Sequence, residues 1–289
     1  MSRINWPPSL IEDIARSRCI FFLGAGVSAG AKTLDPVPKR PKTWDNFLTS
    51  INDSFITDPS DKGFIARLIE EKRFLLALQC INNLIDSGTY QHIIAEEFSN
   101  PDYQPSQVHE LISEIDPKII ITTNFDKIYE KAVPVQAITK VIYDNPSNFS
   151  DAIKSNKRVL VYAHGYIDNI GTIVFTKGQY FRAKRDYPEF YSILQALFMT
   201  NTILFIGYGL NDPDINLLLE NVYIRTSSTK SHYNVTLEGV HPSIEKDWKS
   251  SYNIDTLEYG PTHDDLTQEL EVLKASVETY KSAHGIGKI

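Results

Sequence analysis

Four short apolar runs constrain this chain more than anything else in it, because each stops at a glycine or a polar motif. They are Cys19-Ile-Phe-Phe-Leu23, Lys118-Ile-Ile-Ile-Thr-Thr123, Arg158-Val-Leu-Val-Tyr-Ala163 and Thr202-Ile-Leu-Phe-Ile206. Runs so brief and so rich in β-formers read as strands buried on both faces, the habit of parallel sheets. Further strands are expected at 135–143, 233–237 and 254–258, with helices at 126–132, 189–200, 214–223 and 265–276. Alternation of this kind predicts an α/β, Rossmann-like architecture: a mainly parallel sheet with helices on both faces.

Between the first and second runs, residues 44–115 carry helical periodicity, as in Phe64-Ile-Ala-Arg-Leu-Ile69. No strong strand interrupts this block, which is expected to form a helical insertion or lobe. Residues 1–289 then read as one domain around a single sheet, a size at which one core suffices. Ser9-Leu-Ile-Glu12 after Pro7-Pro8 has capping-box spacing for a first helix. Residues 31–43 hold Pro36, Pro38 and Pro41 with four basic residues and read as a loop. The tail from His284 is expected to fray.

Charge and cysteine usage exclude several classes. A net charge of −7 and a pI near 5.5 argue against direct nucleic-acid binding over the whole surface. The two cysteines, Cys19 and Cys80, form no Cys-x-x-Cys pair, so a zinc ribbon is excluded and a reducing cytoplasm is expected. No apolar stretch is long enough for a membrane span, and the N-terminus does not read as a signal peptide.

Ligands of open α/β sheets bind beyond the carboxyl ends of the strands. There the chain places Gly24-Ala25-Gly26-Val27-Ser28, Asn124-Phe125-Asp126, His164-Gly165 and Gly207-Tyr208-Gly209. Gly24 and Gly26 allow a tight turn and close approach of backbone to a pyrophosphate, and Ser28 can add a hydroxyl. The same turn also serves a strand–helix connection with no ligand. Ala29 stands where the dinucleotide fingerprint has a third glycine, and no acidic ribose-binding residue lies at the expected distance. Asn124 reads as a helix cap, a turn former or a buried amide, and Asp126 as a cap. His164 follows a strand beside a glycine that opens space, and imidazoles in general suit base catalysis near neutral pH. No second His or Cys stands near it at ligand spacing, so no metal is expected. Asp212-Pro213 looks like a helix start.

Taken together and in order, Phe22-Leu-Gly-Ala-Gly-Val-Ser28, Thr122-Thr-Asn-Phe-Asp126, Tyr162-Ala-His-Gly165 and Phe205-Ile-Gly-Tyr-Gly-Leu-Asn-Asp-Pro-Asp-Ile215 resemble the sirtuin superfamily. The closer likeness is to the divergent sirtuin-like (SIR2-like) domains of bacterial antiphage systems. The resemblance spans roughly residues 15–275. It implies that NAD+ is the substrate and that the Gly24–Ser28 turn, with Ala25 and Gly26, holds its phosphates. It implies Asn124 beside the nicotinamide ribose, Asp126 supporting the nicotinamide end, His164 as general base, and Gly207, Tyr208 and Gly209 along the adenosine end. Protein-deacylating sirtuins carry a zinc ribbon and a Gly-Ile-Pro-Asp-Phe-Arg segment. This chain has no cysteine after Cys80 and reads Ala31-Lys-Thr-Leu-Asp-Pro-Val-Pro38 instead.

What the resemblance then implies is an NAD+ hydrolase, cleaving the nicotinamide–ribose bond to ADP-ribose and nicotinamide, as the NAD+-depleting effector of an antiphage system. The rivals are an NAD+-dependent deacylase and a non-catalytic module that senses NAD+ or ADP-ribose. An NAD+ hydrolase must be gated, so a homo-oligomer and a separate partner such as a HerA-type ATPase are expected, by analogy with similar systems.

Overall fold

The computed structural model describes residues 3–99, 101–134, 137–210, 213–226 and 230–287. Its strands are β1 (Cys19–Leu23), β2 (Ile119–Thr122), β3 (Ile138–Ile142), β4 (Arg158–Tyr162), β5 (Thr202–Ile206), β6 (His232–Thr236) and β7 (Ile254–Glu258). They form one sheet in the order β3-β4-β2-β1-β5-β6-β7, parallel at every pairing. The chain lays β2, β4 and β3 on one side of β1, then crosses back to build β5, β6 and β7 on the other. β1 and β5 therefore flank the topological switch point, where such sheets open a crevice.

The helices of the first half are α1 (Pro8–Ala15), α2 (Ala25–Ser28), α3 (Trp44–Phe55), α4 (Pro59–Glu70), α5 (Phe74–Leu84), α6 (Ser87–Phe98) and α7 (Gln107–Ile115). Those of the second are α8 (Ile128–Lys131), α9 (Pro146–Lys154), α10 (Lys177–Asp186), α11 (Pro188–Thr200), α12 (Pro213–Thr226), α13 (Pro242–Tyr252) and α14 (Asp265–Ala283). Strand side chains alternate between two cores. Phe21, Leu23, Ile120, Leu160 and Leu204 pack under α1, α7 and α14. Ile20, Phe22, Ile121, Val161 and Phe205 pack under α9, α10, α11 and α12. That double covering is why the strands read as continuous apolar runs.

Helices α3 to α6 make a lobe with its own core, including Phe47, Leu48, Ile65, Leu68, Leu78 and Ile94. Phe125, Ile167, Ile173 and Phe175, from the loops after β2 and β4, join that core. Helix α7 instead packs on the sheet, through Leu111, Ile112 and Ile115.

Local signals were less faithful than the strand pattern. Helix α1 starts at Pro8 with Pro7 at its N-cap and no side-chain cap, so the Ser9–Glu12 capping box does not form. Ser9 Oγ lies 3.5 Å from the Tyr233 hydroxyl instead. Helices α9, α10 and α13 were not foreseen. Helix α13 has no fully buried residue and packs only Trp248 and Tyr252 partly against the core, so its apolar stripe is thin. Helix α14 runs on to Ala283, and His284 stacks on Tyr280 at 4.0 Å, so the chain continues as a folded cap where fraying was expected. No helix among the described residues is long and apolar enough to cross a membrane.

Candidate active site

The register of the central strands sets the site. Tyr162 pairs with Thr122, Thr122 with Leu23 and Leu23 with Ile206, so β4, β2, β1 and β5 end level with one another. His164 and Asn124 each lie two residues past that line, on adjacent strands, beside the turns that begin at Gly24 and Gly207. The sheet thus brings all four motifs to one rim.

The two glycine turns interlock. Gly24 N–H donates to the Ile206 carbonyl at 3.0 Å and Gly26 N–H to the Gly207 carbonyl at 2.9 Å. A β-carbon on Gly24 would lie 2.5 Å from the Gly207 oxygen, and one on Gly207, at φ +62°, would strike the Val27 backbone. Sequence reasoning assigned these glycines to approach of a pyrophosphate. The structure gives a different reason, approach of one turn to the other, and it uses the Gly24, Gly26 and Val27 N–H groups within the protein. Ala25 and Gly26 remain exposed on the rim.

Asn124 neither caps a helix nor disappears into the core. Its Nδ2 donates to the Gly24 carbonyl at 3.1 Å and to Ser28 Oγ at 3.2 Å. A carbonyl can only accept, so the amide nitrogen must face the first turn and Oδ1 points the other way. The backbone N–H of Asn124 is held by Thr122 Oγ1 at 3.0 Å, and that hydroxyl donates to the Leu23 carbonyl at 3.0 Å. Ser28, expected to meet a ligand, is only 5% exposed. Its hydroxyl donates to Asp126 Oδ2 at 3.1 Å, so it joins Asn124 to Asp126. Asp126 Oδ1 also accepts the Ile128 N–H at 2.9 Å, an Asx turn into α8. Burial raises the Asp126 carboxyl above its ordinary value, and the Ile128 and Ser28 bonds offset that only in part.

His164 is half-buried, and its ring meets Tyr180 of α10 edge-on at 6.2 Å. Its carbonyl accepts the Val174 N–H at 2.8 Å. Gly165, at φ +90°, does not open space: the turn Ile170–Thr172 fills it, and a β-carbon there would strike the Thr172 carbonyl. Tyr208 is buried behind the rim, with its ring 4.9 Å from Phe22 and 5.5 Å from Phe205, while Gly209 is exposed. Asp212 lies outside the described residues; α12 begins at Pro213. No group of three or more His, Cys, Asp or Glu among the described residues could hold a metal ion.

Sequence reasoning missed three contributors. Thr122 pins the Asn124 backbone, a role signalled by a hydroxyl at the end of an apolar strand. Tyr162 donates to Glu130 Oε1 at 2.6 Å and lies 3.3 Å from the Asp126 carbonyl, steadying the start of α8. Phe125 stands between two polar site residues, and an apolar ring in that position signals an anchor.

Residues 118–257 match the SIR2-like domain family, a stretch that holds Asn124, His164 and Gly207 and follows the first glycine turn. Defense-associated sirtuin 2 of Bacillus subtilis is 24% identical over 213 residues, 73% of this chain and 20% of that protein. The NAD(+) hydrolase ThsA of Cytobacillus dafuensis is 24% identical over 226 residues, 77% of this chain and 42% of that protein. The NAD(+) hydrolase ThsA of Enterococcus faecium is 26% identical over 154 residues, 50% of this chain and 31% of that protein. The chain therefore spans less than half the length of these curated relatives.

Proposed function

We propose, from the match of residues 118–257 to the SIR2-like domain family, that the chain hydrolyses NAD+ at the nicotinamide–ribose bond, giving nicotinamide and ADP-ribose. The observation that carries the reading is the pairing of Asn124 and His164 at the ends of adjacent strands, with the Asn124 amide nitrogen tied back so that its carbonyl oxygen points away from the first turn. The relatives named as NAD+ hydrolases and as a defence sirtuin support it at modest identity.

The reaction asks little of the protein. Nicotinamide is cationic on the ribose and leaves neutral, so the bond breaks through an oxocarbenium-like state without a strong acid, as in glycoside hydrolysis. Asn124 Oδ1 accepts a hydrogen bond from the attacking water and orients it. His164 takes the proton from that water or from a ribose hydroxyl. Ala25, Gly26 and Gly209, exposed on the rim, meet the dinucleotide. Gly24, Ser28, Asp126, Gly207 and Tyr208 set the shape behind it. In this reading residues 1–289 work as one domain with the helical insertion, in the cytoplasm, as the NAD+-depleting effector of an antiphage system. Self-assembly or a separate partner such as a HerA-type ATPase provides the gate.

The test is NAD+ consumption by the purified chain, without acyl peptide, with nicotinamide and ADP-ribose quantified. His164→Ala and Asn124→Ala should each slow turnover by roughly 10²–10⁴-fold. Unchanged NAD+ loss in either variant would falsify the assignment. Should the chain alone be inert, the same assay with the ATPase partner decides.

A further inference from the structure

We propose that the helical lobe positions the catalytic amide and the base through one aromatic cluster, with Phe125 as its anchor beside Asn124. The proposal rests on the NAD+-hydrolase reading for its kinetics, but its geometry stands apart.

Phe125 lies between Asn124 and Asp126, the two residues that share Ser28. Its ring turns into the lobe core and is buried. There it meets Phe98 of α6 at 4.6 Å and 80°, and Phe175 at 5.1 Å and 82°, both edge-on. Phe98 meets Phe47 of α3 at 5.3 Å, and Phe175 meets Trp44 of α3 at 4.7 Å. Helix α6 thus meets the ring directly, and α3 reaches it through Phe98 and Phe175.

The same cluster reaches His164. Phe175 follows Val174, whose N–H holds the His164 carbonyl. The two loops are also joined directly, by Ile167 N–H donating to the Phe125 carbonyl at 3.0 Å. Asn124 is therefore one residue from a ring in the cluster, and His164 is joined to another through one backbone hydrogen bond to the residue before it. Edge-on aromatic pairs have narrow geometric tolerance, and close-packed interiors pass a displacement on rather than absorbing it. A shift of α6 against α3 moves Phe125, and the backbone of Asn124 moves with it. Phe98 touches none of the reacting groups, so it is a positioning residue.

The experiment uses the full chain with Phe98→Ala, Phe98→Leu and, as a control, Val277→Ala, a buried change on α14 outside the lobe core. Steady-state NAD+ turnover should fall roughly 10- to 100-fold in kcat for Phe98→Ala, with KM nearly unchanged, because misplacement costs rate before binding. Phe98→Leu should fall only a few-fold and serves as the variant of record if alanine prevents folding. Val277→Ala should keep kcat. In parallel, backbone hydrogen exchange of residues 123–131 should quicken by about tenfold in Phe98→Ala but not in Val277→Ala. Unchanged exchange in that segment overturns the proposal, as does altered exchange with an unaltered kcat. Absence of turnover in the parent chain counts against NAD+ hydrolysis, and the exchange experiment then decides the positioning role by itself.

Discussion

The two rims of the sheet use their polar groups in opposite ways. At the amino rim, Asp13 is buried and its carboxylate is surrounded: Thr202 donates at 2.7 Å, Arg18 lies at 3.1 Å and Lys230 at 3.2 Å. Nearby, His232 Nδ1 accepts the Ile203 N–H at 3.1 Å, and burial pushes its imidazole down to about 4. A polar cavity of about 140 Å³ opens there, but the groups lining it are bound to one another. At the carboxyl rim, Asp126 is held by a hydroxyl and one N–H, with no cation in hydrogen-bond contact among the described residues, and its carboxyl rises. Asn124 has its nitrogen bound and its oxygen turned outward. One rim is closed on itself and holds the fold, while the other leaves the Asn124 oxygen turned away from the first turn, where the proposed reaction would use it.

The sharpest way to break this contrast is Gly207→Ala. The change forces a β-carbon into the Val27 backbone at a left-handed φ. It should cost about 3–4 kcal/mol in urea unfolding and abolish turnover together. A parental midpoint would mean that the turns do not interlock.

Acidification sharpens the contrast, because the rims respond with opposite sign. His232 is held below its ordinary value, so the unfolded chain takes up the proton first. The stability it contributes is present above about pH 6.5 and is lost as pH falls through about 4, on the order of 3 kcal/mol. Asp126 is raised, so its contribution is present below the usual carboxylate range and is lost as pH rises through its raised value. The parent should lose stability between pH 7 and 4, and Asp126→Asn should lose more. A flatter profile in that variant would contradict the burial argument.

Asp13→Ala gives the smallest effect. Arg18 and Lys230 are 50% and 64% exposed and can turn to water, leaving chiefly the Thr202 hydroxyl without its acceptor. About 1–2 kcal/mol of stability should go, with NAD+ turnover per folded molecule intact. Slower turnover in folded Asp13→Ala would mean that the rims are coupled.

What the sequence reveals follows the same division. Strands β1, β2, β4 and β5 fall where the apolar runs put them, because burial on both faces leaves a mark in composition alone. The rim motifs are also legible, since each is a polar or glycine break in such a run. Their partners are not. Ser28 donates to a residue 98 positions away, and Gly207 fits against Gly24 across the switch point, so neither contact leaves a local pattern. Helices α10 and α13 are too polar to announce themselves, and α13 buries only part of Trp248 and Tyr252. Phe125 stands out locally as an apolar ring between two polar residues, but the rings that receive it, Phe98 and Phe175, lie far from it in sequence.

The interlocked glycine turns also set a schedule. β1 is made well before β5, yet its turn closes only against β5 and Gly207, once the whole stretch between them has emerged. Until then one edge of β1 stands open, and such unpaired edges invite wrong partners in a nascent chain. Pairings so distant along the chain form slowly and late. A fragment that stops before Thr202 lacks both the strand and the turn that complete the rim, so a broken or unfinished copy is born without the site.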